Sequence, residues 1–240
     1  MNPPDDPAPR GRDAVHAPPG RRPALRAAAR SFPSVQSAAM LVAVEVLFLG
    51  YFAVSAVMRT WALAVIPGLL AFAALVPWWL EQAVEARLPT WLHATYLAFL
   101  LAGPFAGGRL GLYAIWPHWD KAIHTLSGFL VGSTVFLGLG VIRRRNNLHL
   151  PPYLVGAAVM ATGGFVAATW EIAEYTSDRL LGTHAQNASL DDTMTDIICG
   201  LLGALIITGL AASHARWHPL PLVASLLRNR DLPRQTTRAD

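Results

Sequence analysis

PHWDKAIHTLSGFLVGSTVFLGLGVIRRR, residues 117–145, is the stretch of sequence that decides the fold. Its middle is predominantly apolar for about twenty residues, which is the length of helix that crosses about 30 Å of hydrocarbon. An aspartate, a lysine and a histidine stand near its start, and three arginines stand at its end. Because charge inside a bilayer is costly, Asp120 and His124 at the start of so apolar a segment need a specific explanation.

The composition of the whole chain also indicates a membrane protein. Its 240 residues are 53% hydrophobic and only 14% charged, with a mean hydropathy of +0.37, which is too apolar for an ordinary soluble domain. The single cysteine, Cys199, excludes an intramolecular disulfide and a CxxC-type metal site. The net charge of +4 comes largely from the two ends of the chain, which indicates orientation in a bilayer rather than binding to nucleic acid.

Six segments have the length and apolarity of membrane-spanning helices, so the predicted fold class is all-α, a polytopic membrane helical bundle with about six transmembrane helices. In the third segment, Gly103-Pro104 should kink or end the helix, because proline removes a helical hydrogen bond. Glu45, a lone acid in the first segment, is explained by a polar contact to a neighbouring helix. The six segments are residues 37–58, 61–80, 91–107, 117–142, 153–177 and 189–212.

The arginines predict the orientation of the chain. An even number of spans puts both ends of the chain on one side, and both ends are rich in arginine. The loop at residues 143–145 falls on that side as well, so the positive-inside rule places both termini in the cytoplasm. The predicted organisation is a disordered Arg/Pro-rich cytoplasmic tail at 1–36, a six-helix transmembrane domain at 37–213 and a basic cytoplasmic tail at 214–240.

This topology brings the acids of the last three spans to the outer face of the membrane. Residues three or four positions apart share one face of a helix, so each of these spans presents a polar stripe at its outer end. In a bundle such stripes should face one another rather than lipid. The residues are Asp120 and His124 at the start of span four, Glu171, Glu174 and Asp178 at the end of span five, and Asp192 and Asp196 at the start of span six.

Carboxylates gathered in this way need neutralisation. Two like charges about 4 Å apart repel by about 4 kcal/mol at an effective dielectric of 20, so either some acids are protonated or cations neutralise them. Histidine with aspartate and glutamate is an ordinary ligand set for zinc, iron or manganese, so a divalent metal ion is the cofactor that the pattern allows. The candidate metal ligands are Asp120, His124, Glu174, Asp192 and Asp196, and the candidate catalytic residue is Glu171.

Structural explanations stay open for part of this set. Residues 189–192, Ser-Leu-Asp-Asp, fit a helix capping box, so Asp192 could be only a cap. Asp120 lies in the first turn after Pro117 and could simply complement the helix dipole. Lys121 is interpreted as an interface charge that snorkels to water.

His124, Glu171 and Glu174 lie a turn or more inside apolar sequence, so they are hardest to explain by helix ends. The alternative to a shared polar site is a structural hydrogen-bond network that joins spans four to six, which in membranes contributes about 0.6 to 2 kcal/mol per bond. Gly200 and Gly203 in the last span have the spacing that lets helices approach closely, so this span should press against one of its neighbours.

Three motifs in this order resemble a known family: WDK..H..SG at 119–128, WE..E at 170–174 and LGT..Q...LDDTM.D......GA at 181–204. The set resembles the YjdF family of bacterial inner-membrane proteins, a domain of unknown function, over residues 116–209. A looser likeness exists to VanZ-like proteins, which are associated with glycopeptide resistance. Those proteins commonly have an asparagine where this chain has Gly200. Neither resemblance implies a reaction.

The favoured interpretation is an integral inner-membrane protein with a His/carboxylate site at the outer ends of helices four to six. One alternative is a metal-dependent membrane enzyme that acts on a lipid or cell-wall precursor, with Glu171 as general base, although no H-E-x-x-H signature is present. Another is a structural or partner-binding membrane protein. The predicted partner is the lipid bilayer, and no nucleic acid is expected.

Overall fold

The computed structural model describes residues 34–116, 118–183, 185–186 and 189–228, and this part of the chain is helical and has no β-strand. The predicted all-α fold class is therefore confirmed. One π-helix, Leu101–Arg109, follows directly on the fourth α-helix. The α-helices are α1 Val35–Val57, α2 Trp61–Ala74, α3 Val76–Val84, α4 Thr90–Leu100, α5 Leu112–Ile115, α6 His118–Arg145, α7 Pro152–Leu181, α8 Leu190–Arg216 and α9 Pro221–Leu227.

Five helical segments of the described chain are long and apolar enough to cross a membrane. They have between 23 and 30 residues, which exceeds the roughly 20 that a bilayer requires. α2 and α3 act together as one of them, Trp61–Val84, because only Leu75 separates them and its backbone stays in the right-handed helical region. These segments confirm a polytopic membrane bundle. They are α1, the α2–α3 pair, α6, α7 and α8.

The predicted third span, residues 91–107, differs from one continuous α-helix. α4 has eleven residues and passes without interruption into the nine-residue π-helix, which contains Pro104. Proline has no N–H to donate and crowds the preceding turn, and local π-winding is one way in which a helix accommodates such a disruption. Trp119 Nε1 donates a hydrogen bond of 2.9 Å to the carbonyl of Ala102, which ties the π-helix to the start of α6. The kink expected at Gly103-Pro104 is therefore a π-helical segment. α4 with this π-helix is not among the five described segments that are long and apolar enough to cross a membrane, so the third predicted span stays a prediction.

The closest helix packing joins α6 to α8. A Cβ added at Gly128 would overlap the carbonyl oxygen of Gly200, and one added at Gly203 would overlap backbone atoms of α6. α7 packs on the same helix, since a Cβ at Gly163 would lie 2.6 Å from the Cβ of Ala204. Small residues allow this approach because helix association in membranes depends on close packing. The prediction that the last span presses against its neighbours is confirmed.

A second group of buried side chains joins α1, α2, α4 and the π-helix. Phe48 on α1 is fully buried, and its ring lies 5.4 Å from that of Phe105, centroid to centroid. Leu70 and Leu97 pack in the same group. The polar contact expected for Glu45 is not seen at its Oε1 atom, which is buried and has no hydrogen-bond partner in the described chain.

α9 lies within the segment predicted as a basic tail. Its Val223 and Leu226 are buried, and Trp91 Nε1 donates a hydrogen bond of 2.7 Å to Ser225 Oγ. The beginning of that segment therefore packs on the bundle. Residues 1–33 and 229–240, together with Pro117, lie outside the described residues, so the predictions for the remainder of both tails stay predictions.

Candidate functional site

α6, α7 and α8 place polar side chains at one end of the bundle. α6 and α8 begin at this end and α7 finishes there, because consecutive spans run in opposite directions. The small residues between α6 and α8 hold these helices close enough for their side chains to meet. The group is called the acidic cluster below and consists of Asp120, Lys121, His124, Glu171, Glu174, Asp192 and Asp196.

His124 is the centre of the acidic cluster. Its side chain is buried, and its Nε2 lies 3.5 Å from Asp120 Oδ1 and 3.8 Å from Asp196 Oδ1. Its Nδ1 lies 3.8 Å from Glu171 Oε1. The four-residue spacing places Asp120 on the same face of α6 as His124, whereas the other two carboxylates come from α7 and α8. One imidazole therefore faces a carboxylate from each of three helices.

Lys121 supplies a positive charge to the same cluster. Its Nζ donates hydrogen bonds of 2.5 Å to Asp192 Oδ1 and 2.8 Å to Asp196 Oδ2, and it lies 3.4 Å from Asp120 Oδ2. The interpretation of Lys121 as a charge that snorkels to water is wrong, because the side chain turns across to α8 and lies between three carboxylates. It is the only lysine of the chain.

Three carboxylate oxygens of the cluster are buried and accept no hydrogen bond from the described residues: both oxygens of Glu171 and Oδ1 of Asp196. A buried acceptor without a partner costs about 1–3 kcal/mol, and more when it is charged. Such an atom in a folded protein calls for a water, a proton or an ion as its partner. The cluster therefore has more acceptor atoms than its own donors satisfy.

Three of the five predicted metal ligands come together. Asp120, His124 and Asp196 each offer one ligand atom, and these atoms lie within 4.8 Å of one another. Two atoms bound to one zinc ion at about 2.1 Å can lie at most about 4.2 Å apart. The distances of 3.5 Å and 3.8 Å from His124 Nε2 to the two aspartates already satisfy this limit.

Glu174 and Asp192, the other two predicted ligands, have different contacts. Glu174 Oε1 accepts a hydrogen bond of 2.9 Å from Trp170 Nε1 one turn earlier on α7. Asp192 binds Lys121, and its backbone N–H donates a bond of 3.2 Å to Ser189 Oγ. That bond confirms Ser189 as the N-cap of α8. Metal ligation by Glu174 or Asp192 stays a prediction.

Asp178, the last acid of the predicted stripe on α7, organises the loop that follows this helix. Its Oδ1 accepts hydrogen bonds of 2.5 Å from Thr183 Oγ1 and 2.8 Å from the Ala185 N–H, and its Oδ2 accepts one of 3.1 Å from the Gln186 N–H. Gln186 Nε2 in turn donates 3.1 Å to the carbonyl of Glu171. Asp178 therefore shapes the loop above the cluster.

Tyr113 on α5 belongs to this site and was not predicted. A Cβ at Gly107 would overlap its ring, so the glycine of the π-helix makes the space for it. Burial, followed by the charges of three nearby carboxylates, raises the pKa of its phenol; the carboxylates are those of Asp120, Glu174 and Asp196. The phenol therefore keeps its proton in the field of these carboxylates. A tyrosine in a four-residue helix carries no sequence signal for this role.

Glu81 on α3 is a second buried carboxylate that the sequence analysis missed. Its side chain is 1% exposed, and its Oε2 lies 2.9 Å from Arg87 Nη1. Its Oε1 accepts a bond of 2.9 Å from the Leu88 N–H and lies 3.6 Å from His93 Nε2. These contacts close the turn between α3 and α4. The available signal was an acid directly after the apolar segment at residues 61–80.

Comparison with known proteins identifies a family. The family model described as "Predicted membrane protein (DUF2238)" matches residues 37–217. A relative from Thermotoga maritima, whose printed name is "Uncharacterized protein", is 31% identical over 125 residues, which make up 51% of this chain and 60% of the relative. The chain thus matches less than two thirds of that relative's length, and no solved structure matches the chain. Because the family model covers the bundle from the first turns of α1 to the end of α8, the chain belongs to this family of predicted membrane proteins.

Proposed function

We propose that the protein binds one divalent metal ion through Asp120, His124 and Asp196 at the ends of its transmembrane helices. The observation that carries this proposal is the proximity of the three ligand atoms, which lie within 4.8 Å of one another. The unpaired Oδ1 of Asp196 faces His124 Nε2 at 3.8 Å, so the space between them has acceptor atoms on both sides. One imidazole and two carboxylates are an ordinary ligand set for a divalent transition metal.

The charge balance of the cluster supports a bound cation. Lys121 gives one positive charge, and a protonated His124 would give a second, but five carboxylates share the same end of the bundle. Carboxylates about 4 Å apart repel by about 4 kcal/mol per pair at an effective dielectric of 20. A divalent ion bound by His124 and the two aspartates beside it offsets most of this repulsion, and the acids need no proton. The carboxylates are those of Asp120, Glu171, Glu174, Asp192 and Asp196.

Glu171 has a positioning role in this proposal. When Nε2 of His124 binds the metal, the other ring nitrogen carries a proton and needs an acceptor. Glu171 Oε1 lies 3.8 Å from Nδ1 and has no other hydrogen-bond partner in the described chain, so a small tightening of the site joins them. Such a carboxylate fixes the orientation of the ring and increases the basicity of the ligand.

The membrane placement proposed here puts this site at the outer face of a bacterial inner membrane, with both termini in the cytoplasm. Support comes from α6, which has Asp120 near its start and Arg143, Arg144 and Arg145 at its end. These groups are separated by 23 residues, or about 35 Å of helix, which is more than a hydrocarbon core. The arginine end faces the cytoplasm by the positive-inside rule.

A metal-dependent enzyme acting on a lipid or cell-wall precursor is the second candidate function. It is favoured by a group beside the proposed ligands that could accept a proton, the carboxylate of Glu171, which lacks a hydrogen-bond partner in the described chain. In this case Glu171 acts as general base. Purified protein that binds metal but turns over no amphiphilic ester, amide or phosphate substrate would leave only the binding function.

The family relationship adds no reaction to either candidate. The DUF2238 match is compatible with the resemblance to the YjdF family. The resemblance to VanZ-like proteins stays a hypothesis, and its function is not transferred. Where those proteins commonly have asparagine, a Cβ at Gly200 would lie 2.7 Å from the Cβ of Ala167, so a larger side chain has no space here.

Elemental analysis tests the proposed function. We expect protein purified from cells supplied with zinc, manganese or iron to contain one divalent ion per chain, and the Asp196→Asn and His124→Ala variants to lose it. Asp191→Asn is the matched control, because Asp191 is an exposed acid at the same end of α8 and is outside the ligand group. Wild-type protein without metal under all three supplies would contradict the proposal, and so would equal loss in the control.

A further inference from the structure

A groove of about 320 Å³ lies between α6, α7 and α8 at the end of the bundle opposite the acidic cluster. Its walls are mainly apolar and include Phe136, Leu139, Val155 and Ile207. All of these residues belong to helices that are long and apolar enough to span a membrane. An apolar space in this position is suited to a hydrocarbon chain rather than to water.

Arg143 lines the groove and is the arginine of its triplet that is available for a ligand. It is exposed, and its guanidinium makes no hydrogen bond or ion pair within the described chain. Its two neighbours are occupied: Arg144 Nη1 donates 3.2 Å to the carbonyl of Leu227, and Arg145 Nη2 donates 2.6 Å to the carbonyl of Glu85. The groove therefore has a fixed positive charge on its wall that no described protein group neutralises.

His214 is a second polar group in the lining of the groove. Its Nδ1 accepts a hydrogen bond of 2.8 Å from the backbone N–H of Leu220. Because that nitrogen acts as the acceptor, the proton of the neutral ring is on Nε2, which is then free to donate. Together, His214 and Arg143 offer donors to an anion and no acceptor to a cation.

We propose that this groove binds an anionic phospholipid of the surrounding bilayer, with one acyl chain between α6, α7 and α8 and the phosphate on Arg143 and His214. An apolar groove with a guanidinium on its wall matches an amphiphile with a negative head group, and guanidinium binds phosphate oxygens in a bidentate manner. Basic pockets between transmembrane helices on the cytoplasmic side are recognised sites for anionic lipid head groups. This site is independent of the proposed metal site, from which it is separated by most of the length of α6.

Native mass spectrometry and thermal unfolding in detergent test the proposal with two defined lipids, phosphatidylglycerol and phosphatidylcholine. We expect wild-type protein to retain one phosphatidylglycerol and to gain more thermal stability from it than from phosphatidylcholine. Arg143→Gln should bind phosphatidylglycerol about tenfold more weakly, the ratio expected from one lost hydrogen bond between charged groups. Arg216→Gln is the matched control. Arg216 is an exposed arginine at the last residue of α8, near the groove-lining His214, but it does not line the groove itself.

A second variant tests the apolar part. Ala212 is exposed and lines the groove, so Ala212→Phe should block the acyl chain while Arg143 and His214 remain, and it should reduce the binding of both lipids. Unfolding of each variant without added lipid shows whether the fold is retained. The proposal would be overturned if Arg143→Gln and Arg216→Gln weakened lipid binding equally, or if the wild type bound the two lipids equally. It would also be overturned if Ala212→Phe left lipid binding unchanged, or if the bound species were a peptide or a second chain.

Discussion

Replacing Lys121 by methionine removes the ammonium that lies between the carboxylates of α6 and α8. Methionine keeps most of the apolar stem, so the change is mainly one of charge. Lys121 Nζ contacts Asp192 and Asp196 at 2.5 Å and 2.8 Å. The two aspartates differ in exposure, because the side chain of Asp192 is 19% exposed and that of Asp196 only 2%. Asp192 can therefore regain water after the substitution, whereas Asp196 cannot.

The cost of Lys121→Met follows from this difference. An ion pair exposed to solvent contributes about 0–1 kcal/mol, whereas removal of one partner from a buried pair costs about 3–5 kcal/mol. Lys121 itself is 22% exposed, which places the expected loss near the lower value for a buried pair, at about 3 kcal/mol. Most of it should come from Asp196.

A double-mutant cycle in mixed micelles measures both quantities. Reversible unfolding of Lys121→Met, Asp196→Asn and Asp192→Asn, singly and in pairs with the lysine change, gives the two coupling free energies. We expect the coupling of Lys121 to Asp196 to exceed that to Asp192 by at least about 1 kcal/mol. A total loss below about 1 kcal/mol, or a larger coupling to Asp192, would show that this ammonium does not neutralise the buried carboxylate.

Three further substitutions, the first with a matched control, test the packing and the loops. Gly203→Ala should lower the free energy of unfolding by at least about 1–3 kcal/mol in the same micelle unfolding assay, because the added Cβ meets the backbone of α6. Gly138→Ala is its control and should be neutral or stabilising, because a Cβ there meets nothing within 4 Å. Arg87→Met should cost about 3–5 kcal/mol, because Glu81 is buried, and a loss below about 1 kcal/mol would contradict its role in the turn. Asp178→Ala should cost about 0.5–2 kcal/mol and speed amide exchange in the loop that it holds; unchanged exchange at residues 185 and 186 would refute that function.

Features that depend on one helix alone could be predicted from the sequence. Apolar runs of spanning length identified the α-helical membrane bundle, the Ser189 cap of α8 followed from a capping box, and Gly200 and Gly203 indicated a close helix contact. Asp120 and His124 share a helix face because of their spacing, and the structure confirms that the two side chains meet. Each of these rests on geometry that neighbouring residues determine.

Features that depend on how helices rotate against each other could not be predicted in this way. Lys121 reaches across to α8 only because the small residues bring the helices together, and its own sequence position reads equally well as an interface charge. The ring of Tyr113 packs on the π-helix because Gly107 leaves space for it. That π-helix depends on how Pro104 is accommodated, and a proline in an apolar run is compatible with a kink, a helix end or a bulge.

Calorimetric titration of metal-free protein with zinc or manganese tests the proposed metal site most directly. The proximity of Asp120, His124 and Asp196 predicts one binding site per chain, which Asp196→Asn removes and the Asp191→Asn control retains. Proton release on binding should accompany it where His124 or a carboxylate is protonated in the metal-free protein. Absence of binding by the wild type with both metals, or binding that Asp196→Asn leaves unchanged, would contradict a metal centre at these three residues.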